Sequence, residues 1–143
     1  MGNTILDSAV EAGINENWCL LKNQSTCNAF INGKYLSNIR YSPGGKYLRV
    51  HCNTVVTHTN KIGDLPGYSN TVWYNPKGVA NILSLSLEYK NHLVTYNSQY
   101  GNYFVIHSPH QPIFNITKDG LFYYNMRHLL KKKYTHIMVN DSH

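Results

Sequence analysis

Short apolar runs broken by dense turn residues dominate the chain. Residues 18–21 form an apolar run that ends in the polar segment Lys22-Asn23-Gln24-Ser25-Thr26. Tyr47-Leu48-Arg49-Val50-His51-Cys52 alternates in part, Asn53-Thr54 offers a turn, and Val55-Val56-Thr57-His58-Thr59 follows. Residues 46–62 therefore predict a β-hairpin. Gly63-Asp64-Leu65-Pro66-Gly67 is a breaker cluster, in which Asp64 reads as a turn aspartate bonded to its own backbone. Residues 71–74 are a further strand, stopped by Asn75-Pro76-Lys77-Gly78. The segment 79–89 starts like a buried strand and passes into the best helix candidate, with Ser84 or Ser86 near the N-cap. Four more strands are expected at 92–96, 103–107, 113–116 and 121–124. Strands at this spacing, with one short helix, predict an all-β fold, a small closed barrel or sandwich. Residues 1–17 read as an N-terminal arm, 18–124 as the domain, and 125–143 as a basic C-terminal extension.

Bulk properties narrow the class without choosing a function. A chain of 143 residues with 42% hydrophobic and 14% charged residues is one domain able to bury a core. No window approaches the ~18 uninterrupted apolar residues of a membrane span. The first ten residues lack the basic start and apolar run of a signal peptide, so an intracellular setting without secretion is expected. Cys19, Cys27 and Cys52 are odd in number and lack metal-type spacing, which predicts reduced thiols. The eight histidines include His51, His58, His92, His107 and His110, but no HExxH, CxxC or His-x-Glu element; the expectation is no metal and no cofactor. Lys131-Lys132-Lys133 supplies half of the net charge of +6 and offers a weak nucleic-acid contact, against the alternative of a solvated surface. Twelve tyrosines spread from Tyr35 to Tyr134 match no base-stacking motif and suit strands.

Two patches carry a family likeness. Leu20-Leu21-Lys22-Asn23-Gln24-Ser25-Thr26 resembles the Leu-Leu-Asp-Asn-Gln-Ser-Thr active-site loop of one branch of Copia-type (Ty1/copia) retrotransposon polyproteins, within their retropepsin-like aspartic protease domain. Further on, Gly63-Asp64-Leu65-Pro66-Gly67, Val72-Trp73-Tyr74-Asn75-Pro76 and Ala80-Asn81-Ile82-Leu83-Ser84-Leu85-Ser86 resemble the second half of that domain. Gly120-Leu121-Phe122-Tyr123 looks like a later strand of the same polyproteins. The resemblance implies a retropepsin-like closed β-barrel with one short helix. Its flap would carry His51, Cys52, Asn53, Thr54 and Val55, and Asn81, Ile82, Leu83 and Ser84 would support the active-site loop. It also implies a Gag-Pol origin, an ancestral polyprotein-processing endopeptidase, and a homodimer in which each chain supplies one aspartate.

In place of that aspartate stands Lys22. The reaction needs two carboxylates sharing one proton, one acting as base toward water while the other polarises the peptide carbonyl. An ammonium is a donor with no lone pair to accept a proton. The loop Leu21, Lys22, Asn23, Gln24, Ser25, Thr26 is thus expected to be a degenerate, inactive site. A serine–lysine pairing of Ser25 with Lys22 is the weaker chemistry, since loop hydroxyls more readily brace backbone. Asp7, in Thr4-Ile5-Leu6-Asp7-Ser8-Ala9, is the one alternative carboxylate after an apolar run, and would make the chain an active endopeptidase. A third reading is a peptide-binding module that keeps the groove without the chemistry, because pairing an extended peptide with a sheet needs no aspartate. Partners expected on these readings are an extended peptide, a homodimer weakened by Lys22, or a heterodimer with an intact copy.

A two-fold pair would bring two Lys22 ammonium groups together at a cost of several kcal/mol. In low-salt sedimentation the chain should therefore run as a monomer, and Lys22→Asp should associate more strongly at mildly acidic pH. A tight low-salt homodimer of the unaltered chain, with both Lys22 side chains at its axis, refutes the repulsion.

Overall fold

The computed structural model describes residues 14–52, 54–68 and 70–130. Asp7 and Lys131–Lys133 lie outside the described residues, as does Asn53 at the hairpin turn. Among the described residues there are twelve strands: β1 (Trp18–Lys22), β2 (Ala29–Phe30), β3 (Ser37–Tyr41), β4 (Leu48–Cys52), β5 (Val55–Thr59), β6 (Lys61–Asp64), β7 (Thr71–Tyr74), β8 (Asn81–Ser84), β9 (Val94–Asn97), β10 (Tyr103–Ile106), β11 (Ile113–Ile116) and β12 (Phe122–Asn125). Helix α1 (Leu85–Asn91) leaves β8 directly, and a second helix begins at residue 127.

Ten strands form one sheet in the order β3-β6-β7-β2-β8-β1-β12-β11-β10-β9, while β4 and β5 pair only with each other. The end strands β3 and β9 share no ladder, so the sheet is open. This corrects the expectation of an all-β, closed retropepsin-like barrel: the fold is mixed α/β, with two helices on an open sheet. Closure fails for a physical reason visible at the edges. β3 carries an irregular register between Ser37 and Arg40, with Asn38 in the left-handed region at φ 52°, which bends it away from further pairing. Its sequence, Ser-Asn-Ile-Arg-Tyr, is exposed over most of its length, as suits an edge.

The centre of the sheet is not a succession of hairpins. β1 runs parallel to β8, with Cys19 opposite Asn81 and Lys22 opposite Ser84, and antiparallel to β12. β2 lies on the other side of β8 and pairs in parallel with β7. Two strands joined by one loop thus flank a third that comes fifty residues later. Both faces of β1 are covered. Cys19 and Leu21 enter the main core with Phe30, Leu83, Ile106 and Phe114. Leu20 faces a smaller cluster with Ala80, Ile82 and Tyr123, and Trp18 stacks on Tyr123 at 4.2 Å.

Two sequence readings shift here. Asp64 is not a turn residue: it ends β6 and takes an ion pair from Arg40 at 3.1 Å. The hairpin stops at Thr59 instead of 62, because Lys61–Asp64 joins the main sheet between β3 and β7. The breaker residues act only from Leu65 onward. There Gly67 adopts φ 84° and the His110 ring fills the space a Cβ would need, within 2.0 Å. The start of the expected C-terminal extension is also engaged, since Met126 is buried and Leu129 and Leu130 pack on the main core.

Helix α1 starts from Ser84, whose hydroxyl accepts from the Leu87 N–H at 3.4 Å. One turn on, it buries Glu88, whose Oε2 has no partner among the described residues. Tyr68, also near this region, leaves its hydroxyl unpartnered and is pushed up by burial first and by the Glu88 charge second. Desolvation raises Glu88 to about 7. A folded value above the unfolded one means that the neutral acid stabilises the fold. That contribution is whole below about pH 4.5 and is lost as pH rises through about 7. Between about pH 5 and pH 8 the unaltered chain should lose on the order of 2–3 kcal/mol relative to Glu88→Gln. Urea midpoints of the two proteins across that range check this; parallel profiles would show that Glu88 does not titrate in the folded state.

Candidate functional site

The loop of residues 23–28 arches over the C-terminal end of β8, because β1 and β2 bind that strand from opposite sides. Ser84 sits beneath the arch. Its hydroxyl donates to the Ser25 carbonyl at 2.5 Å, and its N–H donates to Asn28 Oδ1 at 2.7 Å. The Asn28 carbonyl in turn accepts from Trp73 N at 3.0 Å, tying the loop to β7. Inside the loop, Ser25 Oγ donates to the Cys27 carbonyl at 2.7 Å and accepts from the Cys27 N–H at 3.4 Å. The Ser25 hydroxyl is thus spent on backbone, and no contact joins it to Lys22 among the described residues.

At the other end of β8, Asn81 is 0% exposed and uses its whole amide. Its Oδ1 accepts from the N–H groups of Ile31 and Asn32, at 2.9 and 3.1 Å. Its Nδ2 donates to the carbonyls of Glu16 and Trp18, at 2.8 and 2.9 Å. One side chain therefore holds the chain entering β1 and the chain leaving β2 on the same strand. Of the four residues expected to support the loop, Asn81 and Ser84 bond to it or its flanks. Leu83 points into the main core, and Ile82 faces the opposite side with Leu20.

By strand alternation Lys22 shares the face of Leu20. It is half-buried and lies on the wall of a groove of about 310 Å³. The loop residues Gln24, Ser25, Thr26 and Cys27 form one side, and Leu48, Arg49, Val50 and His51 of the hairpin form the other. Ala80 and Ile82 contribute an apolar wall. Asn23 is exposed in the turn outside this lining. Of the expected flap residues, only His51 lines the groove among those described; Thr54 and Val55 are exposed at the hairpin tip.

The hairpin is anchored at its base. Asn75 Nδ2 donates to Thr57 Oγ1 at 2.9 Å, and the Thr59 hydroxyl donates to the Tyr74 carbonyl. Neither end of Lys22's reach offers a counter-charge: among the described lining residues there is no Asp or Glu, and Arg40–Asp64 is the one ion pair among the described residues. Of the described carboxylates, Asp64 is paired, Glu88 is buried behind the sheet, and Glu16 and Asp119 are exposed elsewhere. Cys27 is the other potential nucleophile. Burial pushes its thiol up, against the smaller opposing effect of its Ser25 bond, which is the reverse of what a reactive thiolate needs.

The histidines do not converge. His107 Nε2 meets Thr95 Oγ1 at 2.9 Å, His110 covers Gly67, and His58 accepts from Arg49 Nε at 3.2 Å. No group of three potential metal ligands occurs among the described residues, and no described helix is long and apolar enough to cross a membrane.

Sequence reading missed Asn75, which links the hairpin to β7. Its place before proline suggested only a strand stop. It also missed Asn28, whose signal was an asparagine just ahead of the short apolar pair Ala29-Phe30.

Removing Asn81 tests the brace. Asn81→Leu strands two N–H groups and two carbonyls, so chemical denaturation should show a loss of roughly 3–5 kcal/mol. Ser84→Ala, which deletes a cap and one loop bond, should cost about 1–2 kcal/mol. A loss below about 1 kcal/mol for Asn81→Leu would mean that water or relaxation replaces the network.

Comparison with family models, with curated proteins and with solved structures finds no match to this chain. The likeness to Copia-type proteases accordingly rests on the sequence motifs alone.

Proposed function

We propose that the chain is a non-catalytic peptide-binding domain, descended from a retroelement protease whose active-site aspartate position is now Lys22. The observation that carries this reading is the groove itself. A braced loop and a separate hairpin enclose it, and its described walls hold an ammonium and no carboxylate.

Acid catalysis of peptide hydrolysis requires a proton acceptor and a proton donor on opposite sides of the scissile carbonyl. Lys22 supplies a donor only. Binding, by contrast, asks for less. The residues Leu48, Arg49, Val50 and His51 all line the groove although alternate side chains leave a strand on opposite faces. β4 therefore presents its edge, and that edge has no ladder partner because β4 pairs only with β5. An extended peptide lying there completes main-chain hydrogen bonds, while the apolar wall receives alternate side chains.

The experiment is a library of extended peptides presented to the unaltered chain and to Lys22→Asp between about pH 4 and pH 7, with binding and cleavage both read. The unaltered chain should bind and leave every bond intact; Lys22→Asp should gain cleavage. Cleavage by the unaltered chain would end the non-catalytic reading and turn attention to Asp7. A variant that binds but never cuts would remove the protease descent and leave the binding domain.

A further inference from the structure

The charge of the groove narrows what it holds. Lys22 projects from the end of a central strand, on the face that also carries the apolar wall of Ala80 and Ile82. Across the groove stands Arg49, whose Nε is engaged by His58 while the rest of its guanidinium makes no bond among the described residues. Beside it is His51. Lys22 and Arg49 thus border one groove whose described lining carries no Asp or Glu to neutralise them. Lys22 is half-buried, so its charge acts in a medium less screening than bulk water. A neutral occupant would desolvate that ammonium with nothing in return, which costs free energy. An anionic group placed against it recovers the loss through a charge-assisted hydrogen bond.

The same lining separates peptide from nucleic acid. Strand-based readers of single-stranded nucleic acid stack bases on exposed aromatic rings. Among the described lining residues the one Phe, Tyr or Trp is Phe30, which is 0% exposed and belongs to the core, so a single imidazole, His51, is the one exposed ring there and no stacking platform is formed. What the groove does present is a free strand edge and small apolar positions, which suit an extended backbone.

We propose that the groove selects extended peptides bearing an acidic side chain, whose carboxylate sits against the Lys22 ammonium with Arg49 as the second cation. This rests on the peptide-binding reading and adds to it the identity of the recognised side chain. The charge logic of a carboxylate site is thereby inverted: the protein brings the cation and the ligand brings the anion.

The test uses the full chain and two acetylated, amidated peptides of valine-rich extended sequence, one with a central Glu and one with Gln in its place. Fluorescence anisotropy reads the affinities at physiological salt. The Glu peptide should bind about tenfold more tightly than the Gln peptide, a preference that shrinks as salt is raised. Lys22→Met keeps the apolar stem and removes the charge; it should abolish most of that preference by weakening the Glu peptide, while the Gln peptide, relieved of desolvating an ammonium, binds no more weakly than before. Circular dichroism of the variant confirms that it folds, and Arg49→Gln provides an independent loss of roughly two- to fivefold in the same preference.

Equal affinity for the two peptides overturns the acidic selection and leaves peptide binding standing. Failure to bind either overturns both. Displacement of the Glu peptide by a single-stranded oligonucleotide at comparable concentration would make the groove a phosphate site and overturn the assignment to peptides.

Discussion

The placement of β8 between β1 and β2 is the constraint on which the rest of this structure depends. A strand that arrives some fifty residues after β2 has to be inserted between two strands already joined by a six-residue loop. Such long-range pairing is entropically costly to bring together. Burial alone does not specify its register, because a two-residue slip would return similar side chains to each face. Asn81 and Ser84 supply the missing specification. Asn81 is correct only where two donors and two acceptors meet it, and Ser84 only where the Ser25 carbonyl and the start of α1 coincide. A slipped strand would leave a buried amide unpaired, which is worth more free energy than most apolar mismatches.

Much of this was legible from residues because the signals were local. The hairpin at 48–59 follows from alternation around Asn53-Thr54, and the transition from strand to helix at Ser84–Leu85 follows from a capping serine ahead of a helical run. Strand β11 matches its expected bounds of 113–116. The global arrangement was not legible, and the closed barrel was the wrong inference. Strand count and spacing carry no information about which strands pair, and here the decisive neighbours are parallel and far apart in sequence. Strands β3 and β6 escaped notice for a different reason. Ser37–Tyr41 is an edge with polar composition, and Lys61–Asp64 begins with lysine and ends in a breaker cluster, so neither has an apolar period. At the site, the loop was evident in Leu21-Lys22-Asn23-Gln24, but the absence of facing carboxylates depends on pairing that only the fold decides.

The brace also connects the groove to the far side of the sheet. Ser84 touches the loop with its hydroxyl and opens the helix that buries Glu88 one turn later. A strand end, a loop and a helix N-terminus are therefore set by one residue. Glu88 occupies a place where a carboxyl is stable only while neutral, since no described cation or donor meets its second oxygen. Ionising it lowers the stability of the fold at the helix turn nearest the loop support. The groove is thereby built on an element whose stability falls toward alkaline pH.

Position 22 stands apart from all of this bracing. None of the hydrogen bonds that hold the loop involves the Lys22 side chain: the loop hangs on Ser84, Asn28 and Ser25, and its flanks hang on Asn81. The backbone of residue 22 is fixed by its parallel register opposite Ser84, whatever side chain it bears. Chemistry and architecture are consequently decoupled at this point. A carboxylate placed at residue 22 would change the charge presented to the groove by two units without removing a bond from the scaffold. The side chain at position 22 therefore sets the charge that the groove presents, and the fold around it does not depend on which charge that is.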